Sequence, residues 1–205
     1  MRVRKIKNLS QKMKDYQQLL IEDPQEIKRR FDKRPIELEI GFGKGEFLLA
    51  MAKRHPEKNF LGIERSAEFV LKAMRRVGKL DNILFMTGNV QDLISQMDDD
   101  LFSGLYLNFS DPWPKNRHFK RRLTYRVLLI SYGRILKKGS IIQLKTDSRT
   151  LFDFSLEELT ALGITPYDVT QDLHKDPSWS QNIATSYEIK FSSRGKKILG
   201  FRYRS

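Results

Sequence analysis

From Pro35 onward, short apolar runs alternate with stretches whose apolar residues recur at helical spacing. Pro35-Ile36-Glu37-Leu38-Glu39-Ile40 reads as a buried strand and Phe47-Leu48-Leu49-Ala50-Met51-Ala52 as a helix. Asn59 to Glu64 predicts a second strand, about Ala67 to Leu80 a helix, Ile83 to Met86 a third strand, and the region near Leu93 a short helix. Leu105 to Phe109 reads as the fourth strand. Arg121 to Leu136 carries Leu123, Val127, Leu128, Ile130 and Ile135 at helical spacing, with Lys137-Lys138-Gly139 as its cationic last turn and stop. Ile141 to Asp147 predicts a fifth strand, a helix follows up to Gly163, and Pro166 to Thr170 a sixth strand. The tail reads as a hairpin, Tyr187 to Phe191 and Ile198 to Arg202 around the Ser192 to Gly195 turn. Alternating β and α elements imply a parallel sheet with right-handed crossovers, and the closing hairpin makes the last strand antiparallel.

The 205 residues, 40% of them hydrophobic, suffice for one domain with a real core, assigned to 35–205. Before it, residues 1–34 form a basic, weakly periodic arm with Arg2, Arg4, Lys5, Lys7, Lys12, Lys14, Lys28, Arg29 and Arg30; Asp23-Pro24 reads as a helix start. The arm folds over the domain, binds a polyanion or stays a solvated tail. A formal net charge of +13 points to a polyanionic partner. The absence of cysteine excludes disulfides and thiolate metal sites, and His55, His118 and His174 lack metal-ligand spacing, so no metal is expected. No stretch approaches a membrane span and the N-terminus has no apolar signal core, so the expectation is a cytoplasmic protein, monomeric or homodimeric.

Between the first strand and first helix lies Gly41-Phe42-Gly43-Lys44-Gly45-Glu46. A strand, a glycine-rich turn and a helix open a nucleotide-binding unit, and Glu64 ends the next strand about 20 residues on, the spacing of an acid that bonds ribose hydroxyls. Glu39, just ahead of the turn, would repel a pyrophosphate but tolerate a cation. The pattern E-x-G-x-G-x-G with a later ribose acid therefore favours S-adenosylmethionine, which has a sulfonium and no phosphate, over NAD.

The segment Asn108-Phe109-Ser110-Asp111-Pro112-Trp113-Pro114-Lys115 is followed by a basic run with Arg117, Lys120, Arg121 and Arg122. Its prolines cannot extend a central strand, so it should leave the sheet as a stiff projecting loop. Acid, indole and base on such a loop suit a flat anionic partner such as a nucleotide. In a doubly wound sheet, ligands bind beyond the carboxyl ends of the strands, and Glu39, Glu64, Asn89, Asp111 and Asp147 all fall at such ends.

These residues resemble the bacterial tRNA (guanine-N7)-methyltransferases. The resemblance is carried by Glu39 to Phe47, Gly62-Ile63-Glu64, Leu107 to Lys115 with Arg117-His118 and Lys120-Arg121-Arg122, Lys145-Thr146-Asp147, Thr185-Ser186-Tyr187-Glu188, and Phe191 with the Gly195 turn. It implies an α/β class I methyltransferase fold, Rossmann-like, with a mostly parallel seven-stranded sheet and an antiparallel last strand. It implies methyl transfer from S-adenosylmethionine to N7 of a guanine in the variable loop of tRNA. By position Glu39, Gly41, Gly43, Gly45, Glu64, Asn89 and Asp111 are implied cofactor contacts, with Asp92 an alternative to Asn89. Asp111 is also the implied catalytic residue, and Lys115, Asp147, Thr185, Ser186, Tyr187 and Glu188 are implied substrate contacts. The competing readings are a methyltransferase acting on a protein or small molecule, and a non-catalytic RNA-binding protein that keeps the cofactor fold.

Overall fold

The computed structural model describes residues 5–205. Seven strands form one mixed sheet: β1 (Ile36–Ile40), β2 (Asn59–Glu64), β3 (Ile83–Thr87), β4 (Phe102–Asn108), β5 (Leu136–Thr146), β6 (Tyr167–Thr170) and β7 (Leu199–Arg204), in the order β3-β2-β1-β4-β5-β7-β6. β1 to β5 pair in parallel, while β7 runs antiparallel between β5 and β6. β1 is buried along its whole length, as expected of a parallel strand covered on both faces. That burial includes two glutamates, which need partners. Glu37 has them: Lys58 donates to it at 2.7 Å and the Tyr106 hydroxyl at 2.7 Å.

Helices α1 (Leu9–Lys14), α2 (Ile27–Arg30), α3 (Glu46–Arg54), α4 (Ala67–Met74), α5 (Val90–Leu93), α6 (Arg126–Ile135), α7 (Arg149–Ala161) and α8 (Ser186–Ser192) surround the sheet. One core layer joins Phe47, Leu48 and Met51 of α3 to Val70, Leu71 and Met74 of α4 over Phe60 and Phe85. The other joins Leu128, Leu129 and Tyr132 of α6 to Phe152 and Leu159 of α7 over β1, β4 and β5. The basic arm is built into both layers. Ile6, Leu9, Met13 and Tyr16 pack on the first, while Ile21, Ile27 and Phe31 enter the second. Ile21 donates its amide to the Phe85 carbonyl at 2.8 Å, which covers the edge strand β3. Asp23 caps the turn at Pro24 by accepting from the Gln25 amide. Arg2 and Arg4 of that arm lie outside the described residues.

Three local expectations are corrected. Tyr187 to Phe191 is not a hairpin strand but the body of α8, because the Thr185 side chain accepts the Glu188 amide at 3.0 Å and starts a helix. The antiparallel last strand is therefore β7, paired with β5 and β6. Lys137-Lys138-Gly139 is not a helix end; α6 stops at Ile135 and these residues already belong to β5, with Leu136 opposite Phe102. Residues Asn116–Arg121 form a 3₁₀ turn, and α6 starts only at Arg126. There Glu158 of α7 accepts both the Arg126 amide at 2.7 Å and its guanidinium.

Candidate active site

β1 has β2 on one side and β4 on the other, so the sheet's topological switch point lies where their carboxyl ends open. The Gly41–Gly45 turn sits there. Gly41 is at φ +76° and Gly43 at φ +57°, and a side chain built on either would meet nothing within 4 Å. The space above these two residues is a cradle that a Cβ would fill. Gly45 is required for a different reason: a Cβ there would come within 2.8 Å of Ala73 Cβ, so its hydrogen lets α3 start against α4. The turn is tied to β2, since Glu64 accepts the Gly43 amide at 3.0 Å and the Ser66 amide at 2.9 Å. Each Glu64 oxygen thus carries one fixed bond and retains capacity for a hydroxyl.

At the carboxyl ends of β1 and β4, three buried polar atoms lack a hydrogen-bond partner among the described residues: Glu39 Oε2, Asn108 Oδ1 and Ser110 Oγ. Glu39, only 2% exposed, accepts from Asn108 Nδ2 at 2.9 Å through its other oxygen. Burial pushes its pKa up to about 7, against the lowering effects of Asn108 and the Lys145 charge. An unpartnered oxygen on a buried carboxylate suits a ligand cation that brings N–H donors. S-adenosylmethionine, with an amino group and a sulfonium, fits that donor set and the open cradle above it.

The segment leaving β4 is sharply bent. Phe109 and Trp113 both have positive φ, 53° and 42°, which side-chain-bearing residues adopt only when their surroundings enforce it. Asp111 stands between them with its side chain 69% exposed and Arg65 Nη2 at 3.5 Å. Arg121 lies 4.9 Å from the Trp113 ring centroid and His118 meets the same ring edge-on at 5.7 Å. Lys115, Arg117, Lys120 and Arg121 face solvent.

On the far side of β4, Asp147 follows β5. It accepts from Lys196 Nζ at 2.9 Å and from the Tyr187 hydroxyl at 3.3 Å. Ser186 donates its amide to Glu46 Oε2 at 2.8 Å, which joins the start of α8 to the glycine turn. Thr185, Ser186, Tyr187 and Asp147 are thereby brought to the same end of the sheet as Asp111. Glu188, an implied substrate contact, is fully buried and turned inward, accepting from Lys145 Nζ at 2.9 Å and from Asn182. Lys145, wholly buried on β5, also donates to Asn182 Oδ1 at 2.9 Å and to the Ile183 carbonyl at 3.0 Å. Desolvation lowers its pKa and Glu188 opposes that effect. The pair straps the 182–188 segment to the sheet. Asn89 caps α5, accepting the Gln91 amide at 3.4 Å, and Asp92 lies exposed in the first turn of that helix.

Arg65 and Lys196, the partners of Asp111 and Asp147, carry no signal in the sequence, and neither does the burial of Lys145 and Arg122. Lys145 belongs to a motif quoted above, but nothing in its neighbours marks it as buried. The T-x-x-E spacing of Thr185 to Glu188, a helix-start signal, was available for α8. Among the described residues no helix is long and apolar enough to cross a membrane, and no group of three or more His, Cys, Asp or Glu residues could hold a metal.

A family model described as "Putative methyltransferase" matches residues 33–201. The tRNA (guanine-N(7)-)-methyltransferase of Geobacillus thermodenitrificans is 42% identical over 205 residues, covering 97% of this chain and 94% of the relative. The enzyme of the same name from Halalkalibacterium halodurans is 44% identical over 166 residues, 80% of this chain and 75% of the relative. Among solved structures, an antibiotic-related methyltransferase superposes with a TM-score of 0.61 at 19% identity, over 88% of this chain and 91% of that one. The 16S rRNA methyltransferase KamB does so with a TM-score of 0.60 at 13% identity, over 99% and 95%. These two likenesses establish the fold alone.

Proposed function

The chain belongs to the tRNA (guanine-N(7)-)-methyltransferase family, and on that premise we propose how its residues divide the reaction. It transfers a methyl group from S-adenosylmethionine to N7 of a guanine in tRNA. The guanine is one in the variable loop, and the work is done in the cytoplasm. When bound, S-adenosylmethionine supplies an electrophilic methyl group on a sulfonium. Gly41 and Gly43 let that ligand approach the backbone, Glu64 takes its ribose hydroxyls, Glu39 faces its cationic end, and Asn89 holds the adenine edge.

N7 of neutral guanine carries a lone pair and no proton, so the chain needs no general base. What it must do is hold the purine in line and stabilise the positive charge that appears on it. Asp111 performs both tasks, accepting from the guanine edge while its carboxylate stands beside the ring. Trp113 offers a stacking face next to it. Lys115, Arg117, Lys120 and Arg121 neutralise phosphates on one side, and Asp147, Thr185, Ser186 and Tyr187 receive the nucleotide on the other.

The observation that carries this reading is the convergence of the open glycine cradle, the unpartnered Glu39 oxygen and the exposed Asp111 at one switch point. The test is to incubate tRNA with the protein and methyl-labelled S-adenosylmethionine, then digest and map the label. The expected outcome is a single 7-methylguanosine in the variable loop. Label on another base, or on protein added as a competitor, would overturn the assignment.

A further inference from the structure

Arg122 ends the basic run that starts at Arg117, yet it is only 4% exposed while Arg117, Lys120 and Arg121 face solvent. Its Nε donates to the Pro112 carbonyl at 3.0 Å and its Nη2 to the Trp113 carbonyl at 3.1 Å. Its guanidinium lies 4.3 Å from the ring centroid of Phe154, on α7. Burial lowers its pKa against the opposing charge of Glu157, but an arginine stays ionised under such a shift. A guanidinium this buried, with Nε and Nη2 on two successive carbonyls, is poorly placed to reach a phosphate.

The two carbonyls belong to the residues directly after Asp111, and one of those residues is Trp113, held at φ +42°. The same loop is tied on its outer limb, where Gln91 of α5 donates to the Lys120 carbonyl at 3.1 Å. We infer that Arg122 is a positioning residue for methyl transfer, which fixes the Asp111–Trp113 bend from inside, and is not one of the cations that dock tRNA. Pro112 and Pro114 stiffen the loop but cannot choose its direction; the arginine fork anchors it to α7. The inference deepens the role given to Asp111 and rests on that reading.

Arg122→Lys keeps the charge and removes the fork. The expected single-turnover rate, at saturating tRNA and S-adenosylmethionine, falls about tenfold to a hundredfold, as for a misplaced reacting group. The tRNA dissociation constant stays within about twofold and its salt dependence is unchanged. Arg117→Ala instead weakens tRNA binding and reduces the slope of log affinity against log salt by about one. A second readout needs no substrate. Of the two tryptophans, Trp179 is buried and Trp113 is half-buried, so acrylamide quenching reports the loop; it increases in Arg122→Lys. Phe154→Leu, which removes the ring beside Arg122 and leaves every charge in place, shifts quenching and rate as Arg122→Lys does and serves where Arg122→Lys fails to fold. If Arg122→Lys, or Phe154→Leu in its place, leaves quenching and saturated rate at wild-type values, the inference is overturned. An Arg122→Lys loss confined to tRNA affinity and salt slope would make the residue a docking cation. If the wild type methylates no tRNA, the functional reading fails while the quenching comparison still decides whether Arg122 sets the loop.

Discussion

The two halves of the site are built differently. On the β1–β2 side, Glu39 and Glu64 emerge from the sheet itself. One is buried, the other fixed by two backbone amides, and both are set before any ligand arrives. On the β4–β5 side, Asp111 and Asp147 sit one or more residues beyond the strands and are neutralised by Arg65 and Lys196. The first half is preformed for a small cation-bearing ligand. The second is closed by its own ion pairs, which a polyanion can open by competing for the arginine and lysine. The Asp111–Arg65 pair is exposed on both sides and contributes about 0–1 kcal/mol, so exchanging it for a contact to RNA costs little, whereas the Asp147 side chain is only 15% exposed beside Lys196. Cofactor affinity should therefore depend on single residues of the first half, and chemistry on a single residue of the second.

The largest expected effect is at Asp111. Asp111→Asn keeps the shape and removes the charge. The single-turnover rate should fall by about 100-fold or more, as for loss of one preorganised electrostatic group. Binding of both ligands should largely persist. A near-normal rate in rapid-quench experiments, with affinity lost instead, would erase the contrast and leave Asp111 a positioning residue.

Glu64→Ala probes the preformed half. Loss of hydrogen bonds from the ribose to a charged acceptor costs about 1.5–3 kcal/mol, or roughly 10- to 150-fold in the S-adenosylmethionine dissociation constant. Calorimetry on the folded variant is the measurement, and an unchanged constant would remove the ribose assignment.

A smaller effect sharpens the difference in burial. The folded pKa of Glu39, about 7, lies above its ordinary value of 4.5. Between those values the folded chain holds more protons than the unfolded one, so ligand-free stability from this group falls as pH rises from 4.5 to 7. A bound cation favours the ionised form. S-adenosylmethionine affinity should therefore strengthen with pH, by at most about tenfold per unit below 7, and level off above it. Glu39→Gln should flatten the profile; a profile that keeps its slope would assign the titration elsewhere.

Legibility in the sequence followed the same division. β1 and β2 could be read as short runs of β-branched and aromatic residues bounded by turn residues, although Glu37 and Glu39 break the apolar run of β1, and the glycine turn could be read because φ > 0 favours glycine. The Asp111 loop could be read as a projection because its prolines exclude a central strand. What could not be read is which charges turn inward. Arg122 and Arg121 are neighbours in one basic run, and only the packing of α7 against the loop separates a buried fork from an exposed cation. That Glu188, an implied substrate contact, is buried could not be read because its partner, Lys145, lies 43 residues away in the chain and is equally buried. The strand expected at Tyr187 to Phe191 failed because the alternation of Tyr187, Ile189 and Phe191 has the strand period, whereas the Thr185 cap starts a helix in which Tyr187 and Phe191, four apart, pack with ring centroids at 4.3 Å and Ile189 is left exposed.

The position of β7 has a consequence for biosynthesis. It is the last of the seven strands to be synthesised, yet it lies inside the sheet, and β6 reaches β5 only through it. While the ribosome is still making residues 171–198, β5 presents an open edge of unpaired amides and carbonyls, and the strap from Lys145 to Glu188 has no completed sheet to brace it. The strands that carry Glu39 and Glu64 are made early in translation. The half that carries Asp111 and Asp147 is completed only once Leu199 to Arg204 pair with β5, so the β1–β2 half can be in place before the β4–β5 half.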